Sequence, residues 1–302
     1  MLNAVINFYK PPGMSSAQAV SFVKHLTKQK TGHAGTLDPE AAGVLPILSG
    51  QATRLCDYMM AGDKTYLAEI AFGTATSTQD AQGIIVKTGS MYPDMQSLKA
   101  VLPRFLGKQT QMPPQYSALK IGGETAYKLA RAGKAADLKP RQIRINSINA
   151  IREMPDHGFL LRVTCGKGTY IRTLASDLGE ALGCPAHLRF LLREQSGRFH
   201  IGHAVTPNDF ELWMNHPLET KPQWLLGIPE ALEDLPRFDV PPDLQKAAIN
   251  GVPLPKKEIV PQSVLAKDTE VCLFCDGTLL GIFRVEEEML WVEVMFHGIS
   301  ME

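Results

Sequence analysis

The stretch Gly32-His33-Ala34-Gly35-Thr36-Leu37-Asp38-Pro39-Glu40-Ala41-Ala42-Gly43-Val44-Leu45 sets one carboxylate, Asp38, inside a glycine-punctuated loop. Gly32, Gly35 and Gly43 let the backbone turn tightly or approach a ligand closely. Pro39 removes an N–H donor and biases Asp38 away from helical geometry. A stiff, irregular loop is where proteins display acids that do chemistry. A carboxylate held there can attack carbon or stabilise positive charge. The same residues also suit an ordinary turn whose aspartate bonds its own backbone, and the loop alone does not choose between the two.

The surroundings narrow the chemistry. A chain of 302 residues makes one large domain or two smaller ones. With 44% apolar and 21% charged residues it has the composition of a globular protein. No apolar run reaches the roughly 18 residues that span a bilayer, and Met1 to Tyr9 lacks a basic-then-apolar leader pattern. Five scattered cysteines, Cys56, Cys165, Cys184, Cys272 and Cys275, fit a reducing cytoplasm better than a disulfide framework. Cys272 and Cys275 form one C-x-x-C without the second pair of a structural zinc site, and they read as strand residues. Neither a phosphate-binding G-x-x-x-x-G-K-[ST] loop nor a G-x-G-x-x-G after a strand occurs, so no nucleotide cofactor is expected, and without a clustered His/Cys signature no metal is expected either.

Net charge is zero, but it is unevenly spread. Residues 1–200 carry 24 Lys+Arg against 14 Asp+Glu, and residues 201–302 carry 7 against 17. A basic front half points to an anionic partner, of which nucleic acid is the commonest large one. Lys120, Lys128, Arg131, Lys134, Lys139, Arg141 and Arg144 crowd one short span. A solvated basic helix face would look the same.

Strands and helices alternate along the chain. Strands are expected at Ala4 to Phe8, Tyr66 to Phe72, Ile143 to Ile151 and Phe159 to Cys165. Helices are expected at Ala17 to about Lys28 behind a Ser15–Gln18 capping box, at Leu98 to Phe105, at Lys120 to Ala132 and at Thr173 to Leu182. Six spaced prolines between 217 and 242, with the change in charge sign, predict a linker. Beyond it, alternating apolar runs around an Asp276-Gly277 turn predict a small β-barrel or sandwich.

Four separated motifs carry a resemblance: Lys10-Pro11-Pro12-Gly13-Met14-Ser15-Ser16, the Gly32-to-Leu45 loop, Asp63-Lys64-Thr65-Tyr66, and Gly166-Lys167-Gly168-Thr169-Tyr170-Ile171-Arg172-Thr173-Leu174. Together they resemble the bacterial TruB-type tRNA pseudouridine synthase family, which acts on uridine 55 in the tRNA T-loop. Pro113 to Lys120 is similar to the start of that family's RNA-clamping insertion. The resemblance is dense over about residues 5–210. It implies an α+β pseudouridine synthase fold with a mixed, largely antiparallel sheet over residues 1–235, an insertion at about 108–144, and a PUA-like barrel over 236–302. The implied partner is the T-stem and T-loop of tRNA, bound by a monomer without a cofactor. Lys256 and Lys257 offer the acidic tail a small basic patch.

By the resemblance, Asp38 is the catalytic acid, near the anomeric carbon as in glycoside chemistry. Arg172 would pair with it, holding it ionised and lowering its pKa; a surface arginine at a helix start is the alternative. Tyr66 would stack on uracil and handle a proton, or simply pack in the core. Tyr170 and Leu191 would line the pocket, or belong to the core as well. His33 would sit near the flipped base, and Lys64 would support the site or meet phosphate. Lys10, Lys120, Lys128, Arg131, Arg141 and Lys167 would contact RNA. An RNA-folding helper and a guide-RNA-dependent synthase subunit share these motifs. A glycoside hydrolase would want a second placed carboxylate, for which Glu40 is the nearest acid.

Overall fold

The computed structural model describes residues 2–117, 119–134, 136–217, 219–259 and 265–300. A ten-stranded mixed sheet forms its centre. Along the main path the strands run Leu225–Gly227, Ala4–Lys10, Ala42–Ser49, Ala186–Ser196, Lys64–Phe72, Gly158–Cys165, Arg141–Met154 and Gly107–Gln111. Each neighbouring pair is antiparallel except Ala186–Ser196 on Ala42–Ser49, where Leu192 faces Ala42 and Arg193 faces Gly43.

Burial explains why these segments are strands. In Lys64–Phe72 the alternation places Tyr66, Ala68, Ile70 and Phe72 in the core. Ala42–Ser49 is buried along its whole length because both of its faces are covered. Leu45 and Ile47 join the cluster holding Ala19 and Val23 of the Ser16–Thr27 helix and Leu174 and Leu178 of the Ile171–Ala181 helix. Val44 and Leu48 point the other way, into a cluster shared with Cys272, Phe274, Leu279, Ile282 and Ile299.

Those last residues belong to a second sheet of five strands, ordered Arg237–Asp239, Glu270–Cys275, Thr278–Val285, Met289–Ser300 and Leu254–Pro255. Asp276 and Gly277, with φ of 48° and 74°, make the expected two-residue turn. The order is linear, with Arg237–Asp239 and Leu254–Pro255 at the edges. Gln51 ties this sheet to the first through its amide, donating to the His297 carbonyl at 2.7 Å and accepting from the His297 N–H at 2.9 Å.

Several local expectations change. The helix expected over Lys120 to Ala132 is a hairpin, Lys120–Ile121 with Glu124–Thr125, followed by a helix of only Ala126–Arg131. Gly122 and Gly123 at positive φ make the turn, and Thr125 caps the helix. The Leu98-to-Phe105 helix is an α-helix over Met95–Val101 capped by Asp94, then a 3₁₀ turn over Leu102–Phe105. The proline-spaced segment is packed rather than free. Leu225–Gly227 is the sheet's edge strand, and Ile228, Ala231 and Leu232 enter the core. Pro229 fits there because it sits in the first turn of a helix, where no N–H is needed. The Ser15–Gln18 capping box is present as read.

Candidate active site

The Asp38 loop connects Thr31–His33 to Ala42–Ser49. Its backbone is held from several sides. The Ala34 N–H donates to the Pro46 carbonyl at 2.9 Å. Arg193 donates from Nη2 to the Gly35 carbonyl at 3.0 Å, from Nη1 to Thr36 at 3.5 Å and from Nε to Val44 at 2.6 Å. Ser16 Oγ, at the start of its helix, donates to the Leu37 carbonyl at 2.8 Å and accepts from the Leu37 N–H at 2.9 Å. The Pro39 carbonyl accepts from Lys10 Nζ at 3.0 Å and from the Gly13 N–H at 2.9 Å. Gly43 closes the loop at φ +112°, where any Cβ would lie 2.2 Å from the Arg193 carbonyl oxygen. A loop so anchored has little freedom to move its acid.

Asp38 meets Arg172 at two points, Nε to Oδ2 at 2.9 Å and Nη2 to Oδ1 at 3.2 Å. Arg172 is no surface residue: it opens the Ile171–Ala181 helix yet is only 5% exposed. It also donates to the carbonyls of Tyr116 at 2.8 Å and Thr78 at 3.3 Å, and its Nη1 lies 3.6 Å from Asp80 Oδ2. Asp80 is oriented by Thr78 Oγ1 at 2.5 Å and the Gln82 N–H at 3.0 Å. The Asp38 side chain keeps 42% of its surface open, but into a recess walled by protein. Its carboxyl therefore sits above the usual carboxylate range. Burial raises it most, Arg172 pulls against that, and Asp80 adds to the rise. The lowering expected from Arg172 alone is thus outweighed by desolvation.

Two sizeable cavities meet at Asp38 and Arg172, beside a third of only about 40 Å³. The smaller, about 330 Å³, is lined by Tyr66, Leu191, Arg193, Lys64, Tyr170 and Lys167. The larger, about 1050 Å³, has His33, Tyr116, Tyr127 and Arg131 on its wall. Burial raises the Tyr66 phenol, with Arg193 opposing, and likewise raises Tyr170. Burial and Arg193 lower the His33 imidazole, favouring its neutral form, and its Nδ1 has no hydrogen-bond partner among the described residues. Leu191 is both core and cavity wall, at 9% exposure.

The basic residues divide. Lys128, Arg131, Arg141 and Lys167 are exposed, and Arg131 lies 5.9 Å from the Tyr127 ring centre. The Lys120 side chain falls outside the described residues. Lys10 differs from expectation: it is fully buried, with further bonds to the carbonyls of Pro11 at 3.0 Å and Met14 at 2.6 Å. It braces the Asp38 loop instead of facing solvent, and burial pushes its pKa down to about 8. Lys64 is similarly enclosed, donating to Met60 and Gly62 carbonyls, and burial lowers its pKa.

Three contributors escape a reading of the residues. Asp80 comes from a turn segment with no periodicity, and the Tyr116 contribution is a backbone carbonyl. Arg193 left one trace, a charge at an inward position of the otherwise apolar run Leu191-Leu192-Arg193.

Comparison with known proteins gives the lineage of the chain. Residues 23–171 match the TruB family pseudouridylate synthase N-terminal domain, and residues 172–233 match the tRNA pseudouridylate synthase B C-terminal domain. The tRNA pseudouridine synthase B of Bacillus subtilis is 38% identical over 291 residues, covering 94% of this chain and 93% of that protein. That of Bartonella tribocorum is 37% identical over 295 residues, 93% of this chain and 91% of its own. Among solved structures, a chain of an H/ACA RNP bound to a substrate RNA containing 2′-deoxyuridine superposes with a TM-score of 0.72 at 23% identity, over 98% of this chain and 85% of that one. A chain of a Cbf5-Nop10-Gar1 complex gives 0.73 at 24% identity, over 97% and 84%. At such identity these two establish the fold, that of the pseudouridine synthases, and the sequence relatives establish the lineage: the chain belongs to the TruB family of pseudouridylate synthases.

Proposed function

We propose that this protein is a stand-alone isomerase that converts uridine 55 in the T-loop of tRNA to pseudouridine. In that reaction the C1′–N1 bond breaks, the uracil turns, and a C5–C1′ bond forms. C5 loses a proton and N1 gains one, so the reaction needs no redox partner and no energy input. The observation that carries the reading is the two-point contact between Asp38 and Arg172 at the meeting of two cavities, one lined by the Tyr66 phenol and the other by Tyr127 and Arg131.

In this reading Asp38 acts at the anomeric carbon once the uridine is flipped into the smaller cavity. Arg172 holds the carboxylate in line and favours its ionised form. Tyr66 stacks on the uracil and passes a proton, with Leu191 and Tyr170 completing the pocket. His33 fills the space beside the flipped base. Lys128, Arg131, Arg141 and Lys167, together with Lys120, bind the T-stem backbone. Residues 1–235 serve as the catalytic domain, with 108–144 as the RNA clamp. Residues 236–302 serve as a PUA-like domain. The protein works as a monomer in the cytoplasm, beside its substrate. The names of its relatives, tRNA pseudouridine synthase B, support the choice of tRNA.

The test is incubation with an unmodified tRNA transcript and no guide RNA, followed by chemical mapping of pseudouridine, with Asp38→Asn alongside. One new pseudouridine in the T-loop, absent in the variant, is the expected result. Tight tRNA binding without product would overturn the stand-alone enzyme.

A further inference from the structure

Arg193 is the largest fully buried side chain among the described residues, and none of them offers it a carboxylate. An unpaired buried charge is expensive for a fold to keep. Its position is set by the sheet. Arg193 faces Gly43 on the parallel neighbour and Tyr66 on the antiparallel one. The missing side chain at Gly43 lets the two backbones close up, and the guanidinium then turns under the Asp38 loop. There it donates to the carbonyls of Gly35 and Thr36, three and two positions before Asp38. The register sets it directly opposite Tyr66, both side chains are buried, and both line the cavity that Asp38 and Leu191 share.

We propose that Arg193 is a positioning residue for the reaction: one guanidinium couples the Tyr66 hydroxyl to the Asp38 loop, fixing the phenol relative to the acid and stabilising negative charge on its oxygen. This rests on the proposed isomerisation, which needs C5 to lose a proton and N1 to gain one. A phenol beside a fixed cation can lend its proton and recover one within a turnover, ending unchanged. A guanidinium suits the task because its planar fork serves carbonyls and phenol at once without losing its charge. Cys165 on the other neighbouring strand and Asp38 across the cavity disfavour negative charge there, while Lys64 shares the buried strand face with Tyr66, and Lys167, Tyr170 and Arg172 line the same cavity. Arg193 is the group that opposes Cys165 and Asp38.

The experiment compares wild type, Arg193→Lys, Arg193→Met, Tyr66→Phe and the double variant Arg193→Lys/Tyr66→Phe. Three quantities are read: tRNA affinity, the single-turnover rate of pseudouridine formation against pH, and the ¹³Cζ resonance of Tyr66, identified by its loss in Tyr66→Phe. Arg193→Lys should bind tRNA as wild type does and lose about 10²-fold in rate, the scale of one general acid–base contribution. Its rate profile should move to higher pH, and the Tyr66 resonance should shift. In the Tyr66→Phe background the same change should cost less than about threefold, because coupled groups are not additive. A folded Arg193 variant with an unmoved Tyr66 resonance and profile overturns the proposal, as do fully additive losses in the double variant. A wild type that makes no pseudouridine would overturn the isomerase reading instead, leaving the resonance to decide the Arg193–Tyr66 contact.

Discussion

Arg172 grips Asp38 with Nε and Nη2 while its Nη1 faces Asp80, so one guanidinium stands between two carboxylates of unequal exposure. The acid that opens onto the cavities is the one held at two points. The other is locked into its own turn by Thr78 and Gln82.

Removing the acid should abolish turnover. Asp38→Asn keeps the size of the side chain and should lower the rate of pseudouridine formation at least about 10³-fold while tRNA affinity stays within a factor of about three. Quench-flow with tritium release from C5-labelled tRNA, beside filter binding, checks both halves.

The paired arginine should matter through its shape. Arg172→Lys keeps a charge but cannot make two parallel bonds, and the rate should fall about 10²-fold. A loss confined to KM would contradict this.

Asp38 should set the acid limb of the rate profile. In the proposed reaction its ionised form is the active one, and its pKa is raised in the fold, so activity should fall away above the ordinary carboxylate range. Asp80→Asn removes a repelling charge and should move that limb to lower pH. Arg172→Met removes the attraction and should move it higher. Rate–pH profiles of the three proteins test the order of the limbs.

Gly43 should tolerate no side chain. At φ +112°, with the Arg193 carbonyl oxygen 2.2 Å from any Cβ, Gly43→Ala must displace backbone. A loss of about 3 kcal/mol or more is expected, since strain and overlap add. Urea unfolding of the two proteins measures it.

The insertion should bind charge and not sequence. Lys128→Glu with Arg131→Glu should weaken tRNA binding at low salt and flatten its salt dependence by about two contacts. The rate at saturating tRNA should change little.

The alternation of Lys64–Phe72 and the capping box at Ser15 are visible in the residues because each is a local pattern with one physical cause. Asp38 and Arg172 are visible only through their motifs, since no spacing could show that residues so far apart share two hydrogen bonds. Lys10 misleads for the same reason. A lysine in a proline-rich turn looks solvated until three carbonyls are found converging on its ammonium. The helix expected over Lys120 to Ala132 was undone by Gly122 and Gly123, whose positive φ a periodic pattern does not register. The prolines between 217 and 242 look like a linker, yet an edge strand and a helix's first turn accommodate them well.

The strand Ala186–Ser196 fills the gap between Ala42–Ser49 and Lys64–Phe72, although the ribosome makes it long after both. Until it emerges, the two earlier strands have no bridge and the Asp38 loop lacks the arginine beneath it. Such distant pairings are slow to form and are settled late. During synthesis the acid and its partners would thus be assembled by a closing event, with the nascent front half carrying its motifs but not yet a site.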